Sequence, residues 1–409
     1  MNINQASVAA LGGGLVLALT VGAGGASAPA VVRDSAGQAS QIEYEITVLE
    51  PADGGTGSGA SSISDNGWVT GVTDVTSDGV VHATLWRDGE ATDLDTLGGP
   101  NSAVLWPNKN TGGLVVGVSE IDKIDPRGEQ WSCSAFFPSA TGHVCRGFVW
   151  ENDEMRALPT FGGTHGFAAG VNDRGLVVGW AETRQEDPSC SGRGQELQFV
   201  AATWDTQNGD QIRMLKPLPG KDSASAATAI NDAGQIVGIS GSCDQAVGRF
   251  TARAAVLWSP GRSRAIDLGD LGAEAWNTPM AINNHGVVVG FANTAGVNDG
   301  AFDALPFRWT ARSGMDDLDT LGDDPNGQAL GINDDGVVVG FSRAVTGQRE
   351  HRDHAVVWRD GEIVDLNELT DFDGHLASAN DIDNAGVITG QAVTSDGRFV
   401  AYVATPLAG

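Results

Sequence analysis

The sequence predicts an all-β fold: a seven-bladed β-propeller of four-stranded antiparallel blades, closed by an N-terminal strand that joins the last blade. Three observations predict it. First, one phrase recurs seven times: an apolar residue, a short Asn/Asp turn, a glycine, a few β-branched residues and a second glycine. The copies are SISDNGWVTG, KNTGGLVVG, VNDRGLVVG, INDAGQIVG, INNHGVVVG, INDDGVVVG and IDNAGVITG. Second, Trp86, Trp150, Trp204, Trp258, Trp309 and Trp358 occupy equivalent places after the first six copies. Third, the two ends complement each other. Repetition of this kind marks an array whose units bury their apolar faces against their neighbours.

Each unit divides into four short strands. In the sixth, Gln328 to Ile332 is small and apolar, Asn333-Asp334-Asp335-Gly336 turns the chain, and Val337 to Phe341 returns. A polar loop follows, then His354 to Trp358, a tight Asp360-Gly361 turn, and Ile363 to Leu369. Asn or Asp before glycine between two apolar runs is a hairpin signature, because these residues tolerate the positive φ that tight turns impose. The separations from turn glycine to tryptophan are 19, 37, 29, 24, 23 and 22 residues, whereas those from tryptophan to the next turn glycine stay between 25 and 30. Insertion is therefore confined to the loop between the second and third strands. The seventh unit lacks both the tryptophan and a fourth strand, and Tyr44 to Leu49 precedes the first unit at the distance of a fourth strand. Pairing these two pieces closes the ring and removes exposed sheet edges.

Residues 1–30 carry no charge, contain an apolar run from Val8 to Val21 and end in Ala26-Ser27-Ala28-Pro29-Ala30. They read as a secretory signal peptide that lacks the usual basic residue ahead of its apolar run, with 31–41 a linker and 42–409 a single domain. No later stretch approaches the roughly 20 apolar residues that span a bilayer. A formal charge of −28, from 52 acidic against 24 basic residues, repels phosphate backbones, so nucleic acid is excluded as an expected partner.

INDDGVVVGFS followed by AVVWRDGEIVDL, AINDAGQIVGIS with AVLWSPG and AIDLGDLG, and ATLWRDGEATDLDTLGG together resemble the HAF-repeat family of extracellular proteins. The resemblance covers about Glu43 to Leu407. It implies an exported β-repeat protein and brings no reaction or catalytic residues with it. The second unit departs in having Lys109 where the others carry an apolar residue, and the seventh in lacking the tryptophan.

The turn residues, such as Asn172/Asp173, Asn231/Asp232, Asn283/Asn284 and Asn333/Asp334, read as turn formers, since they lack the spacing of calcium loops. Calcium at the denser acidic stretches, Asp316 to Asp324 or Asp371 with Asp373, is the one cofactor considered; the expectation is none. The six equivalent tryptophans read as core. Unmatched aromatics on loops are the better ligand candidates: Trp131, Phe136 and Phe137 in the longest insert, and Trp276 before an inner strand. Blade connections place Asn101, His165, Lys221, Asp222, Asn277, Asn326 and His375 where they could ring the channel mouth on the insert side, and His165 and His375 are the best of these. Cys133 with Cys145 and Cys190 with Cys243 is the favoured disulfide pattern, as expected for an exported chain.

No G-x-S-x-G elbow, phosphate loop or H-E-x-x-H helix occurs. The expectation is thus a secreted, non-catalytic and monomeric propeller that binds an extracellular protein or polysaccharide through its insert face. Two alternatives stay open: a polysaccharide hydrolase or lyase using channel-mouth carboxylates such as Asp222 or Asp373, and a calcium-binding adhesive component.

Overall fold

A computed structural model of the chain describes residues 42–75, 79–129, 133–190, 194–244, 248–295, 304–346 and 351–407. The signal peptide and linker expected over 1–41, and Trp131, lie outside the described residues.

The chain forms seven four-stranded antiparallel sheets, six of them built from consecutive strands in sequence order. Blade one comprises β2 (Ser58–Ile63), β3 (Val69–Asp74), β4 (Val81–Arg87) and β5 (Glu90–Asp93). Blade two comprises β6 (Gly98–Ala103), β7 (Val115–Ile124), β8 (His143–Glu151) and β9 (Glu154–Ala157). Blade three is β10 (Gly162–Val171), β11 (Leu176–Glu186), β12 (Leu197–Asp205) and β13 (Gln211–Leu215). Blade four is β14 (Ala224–Ile230), β15 (Ile236–Gly241), β16 (Ala254–Trp258) and β17 (Ala265–Asp267). Blade five is β18 (Thr278–Ile282), β19 (Val288–Asn293), β20 (Ala304–Thr310) and β21 (Gly314–Asp317). Blade six is β22 (Asn326–Ile332), β23 (Val338–Val345), β24 (His351–Arg359) and β25 (Glu362–Asp365).

Blade seven joins the two ends of the chain. Its first three strands are β26 (Gly374–Ile382), β27 (Ile388–Thr394) and β28 (Phe399–Pro406), and β1 (Tyr44–Leu49) supplies the fourth. Ile46 faces Ala404 and Val48 faces Tyr402 in the β1–β28 register, and the Leu407 amide donates to Glu43 O at 2.8 Å. The ring is therefore closed by the strand that the sequence assigns to the task.

The repeated phrase is explained glycine by glycine. The first glycine of each copy turns the β hairpin with φ between +70° and +81°, from Gly67 to Gly386, a region where a side chain is strained. The second lies in the second strand, pressed against the first. A Cβ on Gly71, Gly117, Gly179, Gly238, Gly290, Gly340 or Gly390 would fall 1.9–2.2 Å from a carbonyl oxygen of the inner strand. Six inner strands also share a register shift, for example between Ala329 and Gly331. Bulges at equivalent places bend each inner strand in the same way.

Five of the six equivalent tryptophans are buried, and Trp309 is half-buried against the apolar cluster between blades four and five. The indole N–H groups of Trp86, Trp204, Trp258 and Trp358 donate to Glu50, Pro159, Lys216 and Asp319 carbonyls at 2.8–2.9 Å. Each acceptor follows the outer strand of the preceding blade. The large ring buries area and its polar tip straps one blade to the next.

Candidate functional site: the insert face and the axial pocket

The hairpins joining first to second strands lie at one end of the wheel, and the inserts between second and third strands at the other. The two ends are built differently.

At the turn end, the Asn/Asp residues do more than turn the chain. The amide of Thr111 donates to Asp173 Oδ1, Asp173 to Asp232, Asp232 to Asn284 Oδ1, Asn284 to Asp334, Asp334 to Asn384 Oδ1 and Asn384 to Asp65, all at 2.6–3.0 Å. Asn66 Nδ2 to Thr111 O at 3.4 Å completes the circle. A second tier runs inside it: the Nδ2 atoms of Asn172, Asn231, Asn283 and Asn333 donate to the next blade's carbonyl at 2.9–3.1 Å. Their Oδ1 atoms meanwhile accept from their own turns. A carboxamide can make both contacts at once, because it carries a donor and an acceptor on separate atoms.

This ring surrounds an axial pocket of about 50 Å³ that touches all seven blades. Lys109 reaches into it from blade two. Its Nζ donates to Ile63 O at 3.3 Å and Ile382 O at 2.5 Å, and lies 2.7 Å from Asp381 Oδ1. Asp381 is fully buried; burial raises its pKa, and Lys109 opposes that shift. Its other oxygen accepts from Ser62 Oγ and the Ile63 amide. In the sequence Lys109 stands only as an exception to the repeat, and the turn residues read as local turn formers. The signal for the ring was the identity of the second turn position, polar in every copy.

At the insert end, the inserts of blades two, three and four are fastened together. Disulfides join Cys133 to Cys145 and Cys190 to Cys243, the expected pattern. The second ties the insert of blade three to that of blade four. Ser189 Oγ adds bonds to the Cys243 amide at 2.9 Å and Ser223 Oγ at 3.1 Å. Between blades two and three, Glu129 Oε1 accepts from the amides of Glu196 (2.9 Å) and Leu197 (2.6 Å), and Arg127 pairs with Glu196 at 2.5 Å.

Of the candidate aromatics, Phe136, Phe137 and Trp276 are inside this assembly, which corrects the expectation that they face a ligand. Phe136 fills a box made by Trp106, Phe167 and Trp180, at centroid distances of 6.0, 4.8 and 5.5 Å. Phe137 and Trp276 are buried in the same continuous apolar cluster. An insert rich in aromatics folds back because burying each ring gains about 2 kcal/mol or more over leaving it in water. Asn101, Asn277 and Asp222 of the blade connections are likewise structural straps. Asn101, fully buried, accepts from the Val81 amide and donates to Glu120 Oε2, and Asn277 Nδ2 donates to Arg253 O and Ala273 O. Asp222 is held by Arg253 through two bonds of 2.8–2.9 Å and by Ser240 Oγ, so its carboxylate is committed.

His165 is buried, with Nδ1 accepting the Cys145 amide at 3.1 Å and Nε2 lying 3.4 Å from Asp125 Oδ2. His165, Asp125 and Glu129 bring potential ligand atoms within 4.8 Å of one another. They fit a metal poorly. An imidazole that accepts at Nδ1 carries its proton on Nε2 and has no lone pair there to give. His375 lies apart, half-buried at the junction of blades six and seven. Its ring stands edge-on to His354 at 5.0 Å, Nε2 contacts Asp353 O at 2.6 Å, and Nδ1 faces Arg352 at 3.1 Å. Burial, Arg352 and His354 hold its pKa below the usual histidine value.

Among the described residues, the fastened inserts expose Asp122, Lys123, Ile124 and Arg127 from blade two, Arg184, Gln185, Glu186 and Glu196 from blade three, and Phe250 from blade four. Ile124 is 61% exposed, the joint highest among large apolar side chains here. Sequence gave no warning of Ile124 as a surface residue, because it continues an alternating strand.

No family model matches the chain, and no curated protein matches it. Among solved structures, the chain is similar to the β-propeller domain of the trilobed protease from Pyrococcus furiosus, at 12% identity over 86% of this chain and 98% of that one, with a TM-score of 0.49. It is similar to virginiamycin B lyase from Staphylococcus aureus at 11% identity, over 90% and 100% of the two chains, with a TM-score of 0.45. A mutant of AofleA from Arthrobotrys oligospora gives 13% identity over 79% and 90%, with a TM-score of 0.35.

Proposed function

We propose that this chain is an exported, non-catalytic binding propeller of the HAF-repeat kind, which recognises an extracellular protein or polysaccharide through the joined inserts of blades two to four. The observation that carries the reading is the fastening of those inserts: one disulfide crosses from blade three to blade four, and a buried glutamate caps two amides across blades two and three. Ordering loops at an interface costs binding energy, and loops ordered in advance avoid that cost. The exposed mixture of Ile124 with Lys123, Arg127 and Arg184 suits a polar surface with an apolar contact at its centre.

The enzyme reading loses one of its two named candidates, while Asp373 stays exposed on the connection into blade seven. Asp222 is saturated by Arg253 and Ser240, and each ring carboxylate at the axial pocket accepts a neighbouring blade's amide. The test is capture on arrays of glycans and secreted proteins by the full chain, alongside Ile124→Asp/Arg184→Glu and Asp335→Ala. The first variant is expected to lose the wild-type signal and the second, on the turn face, to keep it. Loss with Asp335→Ala alone, or release of sugar fragments from an arrayed polysaccharide, would overturn the proposal.

A further inference from the structure

The contact between the inserts of blades two and three buries more negative charge than its neighbours neutralise. Glu182 Oε2 accepts from the Thr164 and His165 amides at 2.9 and 2.7 Å, and Oε1 from Gln195 Nε2 at 2.9 Å. Asp125 accepts from the Arg127 amide at 3.1 Å and the Glu129 amide at 2.5 Å. Glu129 uses only one of its oxygens: Oε1 takes the Glu196 and Leu197 amides, whereas Oε2 is buried with no hydrogen-bond partner. Few cations face this group. Arg127 points outward to Glu196 and Glu186, Arg146 is half-buried and feels Glu182, and the Nδ1 of His165 is committed to the Cys145 amide.

Buried carboxylates without a cation lower their cost by binding a proton, and the geometry says which one does so. Asp125 is supplied with donors: burial alone would raise its pKa, but His165 and the amides of Arg127 and Glu129 hold it at about 2. Glu129 moves the other way, raised by burial first and by the charge of Glu182 second. One carboxylate oxygen of Glu129 lies within 4.8 Å of ligand atoms of Asp125 and His165, and Oε2 is the buried oxygen without a partner.

We infer that Glu129 carries a proton at Oε2 in the folded protein, and that this proton pins the inserts of blades two and three together as a pH-operated clamp. Protonation turns Glu129's unpartnered oxygen into a donor, and leaves Oε1 to hold the Glu196 and Leu197 amides. As pH rises the proton leaves, a third negative charge joins those of Glu182 and Asp125, and the clamp opens. The regulatory use of this clamp rests on the insert face being the binding surface; the clamp itself does not.

The sign follows from linkage. The folded acid holds its proton above the ordinary glutamate value near 4.3, so closure is most stable below that value and weakens as pH rises through the folded pKa. The experiment is hydrogen exchange of the full chain between pH 4.5 and 7.5, read on the peptide that contains Glu196 and Leu197 and corrected for intrinsic rates. Opening should rise with pH by up to about tenfold per unit within the window, at least about threefold overall. In Glu129→Gln, whose amide keeps the acceptor and places a donor at the Oε2 position, protection should be flat with pH. A flat wild-type profile overturns the clamp and needs no variant to fold. So does an equal slope in Glu129→Gln, or a wild-type slope abolished by added Zn²⁺ or Ca²⁺, which would assign the counter-charge to a metal. A rising profile in a chain that captures nothing on the arrays leaves the clamp standing and removes the binding reading.

Discussion

Lys109→Met tests the channel more sharply than any other substitution. In the wild type its ammonium lies 2.7 Å from Asp381, whose carboxyl is wholly buried, and it also satisfies carbonyls of blades one and seven. At that distance the attraction is about 6 kcal/mol for an effective dielectric of about 20, much of it already offset by the cost of burying the charges. Removing one partner of such a pair costs about 3–5 kcal/mol, because the other is stranded. The loss depends on pH. Asp381 already has a raised folded pKa from burial, and without Lys109 it rises further. The stranded carboxylate therefore destabilises most at neutral pH and least in acid, where it takes up a proton. Lys109→Met/Asp381→Asn removes the buried charge while keeping an oxygen for the Ile63 amide, and should recover more than half of the loss. Denaturant midpoints at pH 7.5 and pH 5, followed by circular dichroism, measure all of this. A single variant within about 1 kcal/mol of wild type, a deficit equal at both pH values, or a double variant no better than the single would refute the reasoning.

Three further outcomes are expected. Gly340→Ala puts a Cβ 1.9 Å from Gln328 O and should cost about 3 kcal/mol, whereas Gly336→Ala, at φ +81° with open space around it, should cost about 1 kcal/mol in the same denaturation assay. Replacing Cys190 and Cys243 by alanine frees a 53-residue loop and should cost about 4 kcal/mol by loop entropy, with faster exchange confined to the inserts of blades three and four. His82 donates to Asp93 at 2.8 Å, a bond that raises the histidine's pKa. Burial opposes ionisation of Asp93, but His82 and the Asp95 amide bring its pKa below the usual value. The histidine's contribution is present below about pH 6.5 and lost as pH rises, and that of the aspartate is lost as pH falls below about 4. His82→Gln should therefore lower Tm most near pH 5 and least at pH 8.

The wheel was legible because its determinants are local and repeated. A turn glycine, a second glycine facing a carbonyl, and a tryptophan whose N–H finds the preceding blade recur often enough for the period to speak. Closure was legible from what the last unit lacks. The inserts were not, because they do not repeat. Whether Phe136 faces water or the box of Trp106, Phe167 and Trp180 is decided by contacts between blades, which no spacing within one insert encodes. Asn283 shows the opposite limit. Its turn role was correct and incomplete, since the same carboxamide also donates to Asn333 O of the next blade. Glu120 and Glu182 stand three residues after the second glycines of blades two and three, an equivalence in the sequence that marks the two longest inserts. Their task of holding inner-strand amides needed the fold to be seen.

The most direct measurement is a deuterium footprint of the chain with a ligand captured on the arrays. Binding through the joined inserts predicts new protection in the segments 118–129 and 183–190, with the hairpin turns around Asp65, Asp232 and Asp334 unchanged. Protection centred on those turns and the axial pocket, with the inserts exchanging as before, would contradict it.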